Sequence, residues 1–500
     1  MIRKILAAAA LMALTTSVST PEIGAQQPGE MGYEDVSVMP DGVVGDRIQS
    51  MIATFNSGDP ERVRVFFEEE VGTRFRGFAP MEEHQAVFAE TLRQWGPVEF
   101  HSIRKYTPAR EDGEVVVILR DTNFDAWRAF SLRIDDGEED RIAMLGFNDA
   151  RTPSNVDDPP LTRDSFLAEA DRSIRKACEL DVFSGTVLVA HGTEILLSHS
   201  CGEASKRFHV PNNIDTRFNL GSMNKMFTSV AIMQLVEKGV LYLEDPISEY
   251  LDESWLPREM TDKITIHHLL SHTSGLGSYF NDTYWESSRM LYRALDDYKA
   301  LVNGEELAFE PGERFRYSNT GMFLLGVVIE SATGDSYFDY IRENIYAPAG
   351  MTDSDSYDMD QPVENLAIGY DRAADNEWGW ENNLYKHVIR GGPAGGGFST
   401  VGDLHRFALA LISGQLVSET SLETMWTPQS DDTYGYGFSI EEGANGKVVG
   451  HGGGFPGLNA NLDIMLDRGY HVAVMANYGG AASPVASQIA ALMARVPPRG

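Results

Sequence analysis

Basic residues are scarce in this sequence, cysteines are nearly absent, and no apolar run is long enough to cross a bilayer. Lys and Arg number 41 against 74 Asp and Glu, giving a formal charge of −33. An acidic excess of this size argues against nucleic acid or an anionic membrane as partner, because both require a cationic surface. Among the longest apolar runs is Met322–Ile329, far short of the ~20 residues that a spanning helix needs. Only Cys178 and Cys201 occur. In an oxidising compartment they can pair, or they can stand as two buried thiols, and the sequence does not choose between these. Neither sits in a context that suggests a nucleophile. No cysteine lies near the N-terminus, so lipid attachment there is not expected.

The first 25 residues carry the three parts of a signal peptide in order. Arg3 and Lys4 are charged, Ile5–Leu14 is apolar, and Gly24-Ala25 offers small residues for cleavage. Export, to a periplasm or to the medium, is the expectation. A chain of 500 residues suits two or three domains rather than one core. Residues 26–43 read as a loose polar arm. Helical spacing of Ile48, Met51, Ile52 and Phe55, a helix start at Asp59-Pro60, and a third helix from Met81 to Trp95 follow. The pattern then changes to strands at 98–106, 114–120, 127–134 and 141–147. Helices followed by a meander predict a small α+β domain over 44–150. His84, His101 and Asp125 lie in it and are expected as solvated residues rather than as a catalytic dyad. Polar residues with Pro153, Pro159 and Pro160 mark a linker over 151–160. A second domain runs over 161–497. It opens with a helix capped by Thr162, continues with strands at 185–190 and 194–200 and a helical block, and ends with strands near 447–450, 458–466 and 470–475. This order predicts one antiparallel sheet assembled from both ends of the domain.

Three elements carry chemistry. Ser222-Met-Asn-Lys225 opens a helix that is apolar nearly all round, and such a helix is buried. Ser222 and Lys225 are three apart, so they share one face. The helix start offers unpaired N–H groups that favour a developing oxyanion. Tyr317-Ser318-Asn319 is the second element. An ordinary tyrosine is a weak base, but an ammonium beside it favours the phenolate, and Lys225 can supply that charge if the two meet. His451-Gly-Gly-Gly454 is the third, and its glycines allow backbone N–H groups to approach a substrate closely. An HGGG motif also serves α/β-hydrolases, but there it precedes a G-x-S-x-G elbow. This sequence contains no G-x-S-x-G, and its HGGG lies near the C-terminus. His268 and His272 fall four apart on an expected helix, a zinc-like spacing, without the glutamate of H-E-x-x-H. No metal and no cofactor is expected.

Together, in this order, the three elements resemble the serine β-lactamase and penicillin-binding-protein superfamily, in its class C β-lactamase, esterase and DD-peptidase branch. The stretches Phe183–Ala190, Ile266–Gly275 and Ala394–Thr400 are similar to those of the same family. The order of elements in 44–150, with the stretch Ala53–Pro60, resembles the NTF2-like (SnoaL-like) cone. The resemblance implies an α+β protein: a β-lactamase/transpeptidase-like domain, with an antiparallel sheet flanked by helices plus a helical block, after a small cone-like domain. It implies Ser222 as nucleophile, Lys225 and Tyr317 as proton carriers, and Asn319 as a substrate contact. His451 is placed in the reacting group, and Gly453 and Gly454 line the oxyanion site, with the N–H groups of Ser222 and Gly454 forming the hole. The family's β-lactamases mostly carry a lysine where His451 stands, which shifts the expectation from β-lactams toward esters, small amides or peptides. A true β-lactamase and an inactive binding or sensing protein are the alternatives. Nothing in the pattern specifies an oligomeric state.

Overall fold

The computed structural model describes residues 32–109, 113–135, 137, 140–373, 376–430 and 433–497. The expected signal peptide lies outside them. The chain divides into two compact units. One takes the described residues up to Val182 together with those from Ser487 onward, and the other is Phe183–Ala486. Both cysteines, Cys178 and Cys201, are disulfide-bonded.

In the first unit, β1 (Gly32–Val36), β2 (Val98–Thr107), β3 (Glu114–Asp121), β4 (Trp127–Asp135) and β5 (Arg141–Asp149) form a five-stranded sheet in sequential order. Each neighbouring pair is antiparallel. Helices α1 (Val43–Ser57), α2 (Pro60–Glu70) and α3 (Met81–Trp95) precede the meander. Their apolar faces and the sheet share one core, which includes Phe55, Phe66, Phe67, Phe88, Trp95 and Phe130. The Phe55 ring lies 5.3 Å from Phe130 and 5.6 Å from Phe147. Aromatic rings therefore fill the space between helices and sheet.

Two expectations fail in this unit. Residues 32–36 are not a loose arm but an edge strand. The strand is polar, so apolar alternation gave no signal, and a buried ion pair holds it instead. Asp35 meets Arg104 of β2 at 3.0 Å, with both side chains almost wholly enclosed, and the Arg104 guanidinium lies 4.0 Å over the Tyr33 ring. His84 is not solvated either. It is buried, its ring lies 4.4 Å from that of Phe67, and its Nε2 donates to the Arg76 carbonyl. His101 meets Asn155 and Asp125 meets Arg120, so these three residues share no partner.

Residues 151–155, expected in a linker, are tied to β1 and β2. Ser154 N donates to Asp35 Oδ2 and Asp35 N donates to Ser154 Oγ, each at 2.8 Å. Arg104 donates to the Arg151 carbonyl. Asp35→Ala would leave Arg104 buried without its carboxylate, a loss of about 3–5 kcal/mol. The expected outcome is a lower melting transition and faster proteolytic cleavage within 150–158. Unchanged melting and cleavage would show that the pair holds neither the strand nor the strap.

In the second unit, β6 (Gly185–His191), β7 (Glu194–Cys201), β8 (Ser439–Gly443), β9 (Gly446–Phe455), β10 (Leu458–Met465) and β11 (Tyr470–Ala476) form a six-stranded sheet. Its order is β8-β9-β10-β11-β6-β7, and every pairing is antiparallel. The sheet is thus built from both ends of its domain, as the order of elements predicts. Two helices from the intervening chain, Asn224–Glu237 and Asn319–Thr333, fill much of the core. Asn224 to Leu235 are all buried, which is why no polar face interrupts that stretch. Phe227 packs at 4.7 Å on Phe407, and Phe323 and Leu324 join the same cluster.

Candidate active site

Ser222 sits in a single tight turn, Gly221–Met223, that leads into the Asn224–Glu237 helix. The turn is locked to the glycine segment 394–397. Leu220 N donates to the Gly397 carbonyl at 2.7 Å, Gly396 N to the Gly221 carbonyl, and Gly397 N to Asn224 Oδ1. Gly221 has φ +51°, and a Cβ there would stand 2.8 Å from Gly454 N. A Cβ on Gly453 would stand 1.9 Å from the Leu220 carbonyl oxygen. Glycine is thus required on both chains where β9 crosses the Ser222 turn. The crossing brings the amides of Ser222 and Gly454 to one place, and the space beside the Gly454 Cα is open. The register of β8 with β9 ends at Gly450, so His451–Phe455 continue beyond that neighbour.

Lys225 is fully buried. Its Nζ donates to Asn319 Oδ1 at 2.9 Å and to the Ala394 carbonyl at 2.6 Å, and lies 4.8 Å from the Tyr317 ring centre. Burial pushes its pKa well below the ordinary lysine value. Tyr317 is half-buried. Burial raises its hydroxyl above the ordinary phenol range, and Ser222 nearby pulls the other way. Ser318 caps the Asn319–Thr333 helix by accepting from Gly321 N, and donates to the Gly277 carbonyl. Tyr317 and Asn319 are therefore fixed on either side of a cap. Asn319 Nδ2 donates onward to Ser278 Oγ at 3.2 Å. Ser278 also lines a cavity of about 400 Å³, with Glu305, Glu306 and Arg316 in its wall.

The structure brings Ser222, Lys225, Tyr317, Asn319, Gly453 and Gly454 together and corrects the place of His451. That side chain is buried. Its Nδ1 donates to the Gly452 carbonyl, so its Nε2 accepts from the Tyr434 hydroxyl at 3.0 Å. Burial, with Lys225 nearby, lowers its pKa to about 3. His451 is neutral, both nitrogens are engaged, and it stands behind Tyr317 at 6.3 Å between ring centres.

His272 is the residue that the sequence pattern misplaces. The Ile266–Leu270 helix ends before it, and its own φ is +57°, so it shares no helical face with His268. His268 instead closes a capping box with Thr265. His272 lies 4.4 Å from the Tyr317 ring and 4.7 Å from Tyr434. Its Nδ1 accepts from Ser318 N at 3.1 Å, which puts its proton on Nε2, a buried atom with no hydrogen-bond partner. The signal available beforehand was the Ile266–Gly275 stretch itself, not a spacing. Tyr434 carries no pattern at all.

Comparison with known proteins gives the family and the fold. The beta-lactamase family model matches residues 170–494, and the chain belongs to that family, whose members are serine hydrolases. Penicillin-binding protein 4* of Bacillus subtilis is 34% identical over 305 residues, which is 57% of this chain and 66% of the relative. The chain thus spans just under two thirds of that relative's length. A penicillin-binding protein structure from Bacillus halodurans superposes with a TM-score of 0.60 at 34% identity, covering 64% of this chain and 98% of that one. A D-stereospecific amidohydrolase from Streptomyces sp. gives a TM-score of 0.54 at 25% identity, covering 64% and 96%.

A lysine whose pKa is lowered by folding destabilises the fold at neutral pH, because the unfolded chain binds the proton more tightly. That penalty is full below the lowered folded value, shrinks as pH rises above it, and is gone above the unfolded value near ~10.4. Lys225→Met, which keeps the volume, is expected to melt at or above the wild-type temperature at pH 7. The gap should narrow as the pH approaches 10. A variant melting well below wild type at pH 7 would mean that the lysine is held as a stabilised ammonium.

Proposed function

We propose that this protein is an exported serine hydrolase that forms an acyl-enzyme on Ser222 and acts on esters or small amides, as an esterase or D-amino-acid peptidase does. The observation that carries the reading is the buried Lys225 at the Ser222 helix start, held by Asn319 and the Ala394 carbonyl and 4.8 Å from the Tyr317 ring centre, with Gly454 N against the Ser222 turn. Ser222 Oγ attacks the substrate carbonyl carbon, and its proton passes to the Tyr317–Lys225 pair. The oxyanion is met by the amides of Ser222 and Gly454. When the bond to the alcohol or amine breaks, the pair returns the proton to that leaving group. Water then adds to the acyl carbon by the same route, the acid departs, and Ser222 regains its proton.

The proton inventory of the pair follows from its burial. A neutral lysine beside a phenol and an ammonium beside a phenolate hold the same number of protons, so they are tautomers of one reactive state. Burial opposes both charges and so favours the uncharged tautomer of that state, while the unreactive pair holds one proton more, as an ammonium beside a phenol. The reactive state forms when the pair releases a proton, and a lowered Lys225 pKa makes that release available below the range of free lysine. The rate is therefore expected to rise with pH along a limb that Tyr317→Phe abolishes. A flat profile in the wild type would exclude this proton route.

The D-stereospecific amidohydrolase supports the amide side of the reading, and the leader pattern of residues 1–25 supports export. The neutral His451 supports esters or small amides over β-lactams, since it offers no charge to a substrate carboxylate. With p-nitrophenyl acetate and nitrocefin in parallel, kcat/KM for the ester is expected to exceed that for nitrocefin by about 100-fold or more, on the order of the loss of one charged contact. Ser222→Ala should abolish both turnover and fluorophosphonate labelling. Comparable constants for the two substrates would instead mark a β-lactamase. Absence of both labelling and turnover in the wild type would mark a binding protein.

A further inference from the structure

Two segments beside the Ser222 site, the end of β9 and the Ser278 loop, carry aromatic rings that meet. Phe455 follows Gly454 directly on β9. Phe280 hangs on Ser278, to whose Oγ it donates its amide, and Ser278 is the residue that receives Asn319. Phe280 and Phe455 come within 5.6 Å between ring centres. Trp285 stacks on Phe455 at 5.9 Å and 15° and on Phe280 at 6.0 Å and 27°, and the His387 ring lies 5.3 Å from Phe455. Each of these four side chains is half-buried. The polar edge of the indole is satisfied internally, because Trp285 Nε1 donates to the Phe280 carbonyl. Burial lowers the His387 pKa to about 4, so its imidazole carries no charge at neutral pH, and the Arg289 guanidinium lies 5.4 Å over the Trp285 ring and donates to the Trp285 carbonyl. Phe280 and Trp285 pack against the main core on one side, while all four rings keep an exposed part between the oxyanion strand and the loop that holds Asn319. We infer that Phe280, Trp285, His387 and Phe455 form a subsite for an aromatic side chain on the acyl part of the substrate, placed next to Ser222.

This inference rests on the hydrolase reading above and names its substrate class. Ring-on-ring contact and burial of a phenyl group supply the selectivity, and discrimination by such apolar contacts runs to about 10- to 200-fold. The test uses the full mature chain with p-nitrophenyl phenylacetate, p-nitrophenyl acetate and mono-p-nitrophenyl glutarate, alongside fluorophosphonate labelling. The wild type is expected to prefer phenylacetate over acetate by about 10-fold or more in kcat/KM. Phe455→Ala and Trp285→Ala should each cut that ratio several-fold. Phe455→Leu, which keeps apolar bulk without a ring face, should cut it part of the way and guards against a variant that fails to fold. A ratio near one in the wild type, or one unmoved in Phe455→Leu and Trp285→Ala, would overturn the subsite while leaving the hydrolase reading intact. Preference for glutarate would overturn it too, by assigning the acyl chain to the polar cavity beside Arg316. A wild type that neither labels nor turns over any ester would overturn both.

Discussion

Lys225 is a fully enclosed amine whose Nζ hydrogen bonds run to an amide oxygen and a main-chain carbonyl. A charged ammonium in that setting costs several kcal/mol unless it is paired, so the fold holds the group close to its neutral form. Its acceptors, Asn319 and Ala394, come from segments 94 and 169 residues further along the chain. The amine's position therefore depends on three segments far apart in the chain meeting at one point. The glycine segment 394–397 serves this meeting point twice, by supplying a carbonyl to Lys225 and by pinning the Ser222 turn. Stability is spent here on a site, and the apolar helix Asn224–Glu237 around it is what makes the expenditure affordable.

Behind Tyr317 lies a layer of neutral aromatic and imidazole groups, His272, Tyr434 and His451. Hydrogen bonds fix the tautomers of both histidines. His272 accepts at Nδ1 and His451 donates from Nδ1. The Tyr317 ring is thereby backed by side chains that cannot easily gain charge, since burial, and after it Lys225 nearby, opposes protonation of both imidazoles. Tyr317 faces Ser222 from a rigid, uncharged support, and that is the setting in which a proton can be passed without reorganising water.

Much of this was legible in the sequence where the physics is periodic. The α3 helix from Met81 to Trp95 and the meander strands show their burial pattern directly, and the Ser222–Lys225 spacing places both groups at one helix start. What escaped was held by single polar contacts or by backbone signs that no periodicity reports. Strand β1 depends on Asp35 finding Arg104 about seventy residues away. His272 depends on a positive φ that ends a helix early. His451 looked available because its place in the motif is that of a substrate-facing lysine, while its partner Tyr434 lies in a loop without pattern. The aromatic group at Phe455 is invisible for the same reason: Phe280, Trp285 and His387 are scattered along the chain, and only the fold brings them to one strand end.

Replacing a lysine by a neutral histidine at position 451 also changes what must hold a substrate. Burial, with Lys225 adding to it, lowers the pKa of His451, and two cations there would repel inside a low-dielectric pocket. With His451 neutral and turned to Tyr434, this position offers no positive charge to a carboxylate. Binding free energy must then come from elsewhere along β9, and the first side chain beyond the glycines is Phe455, already stacked with Trp285. Loss of a charged anchor and presence of an uncharged ring wall are thus two sides of one arrangement, in which apolar contact rather than ion pairing orients the acyl group over Ser222.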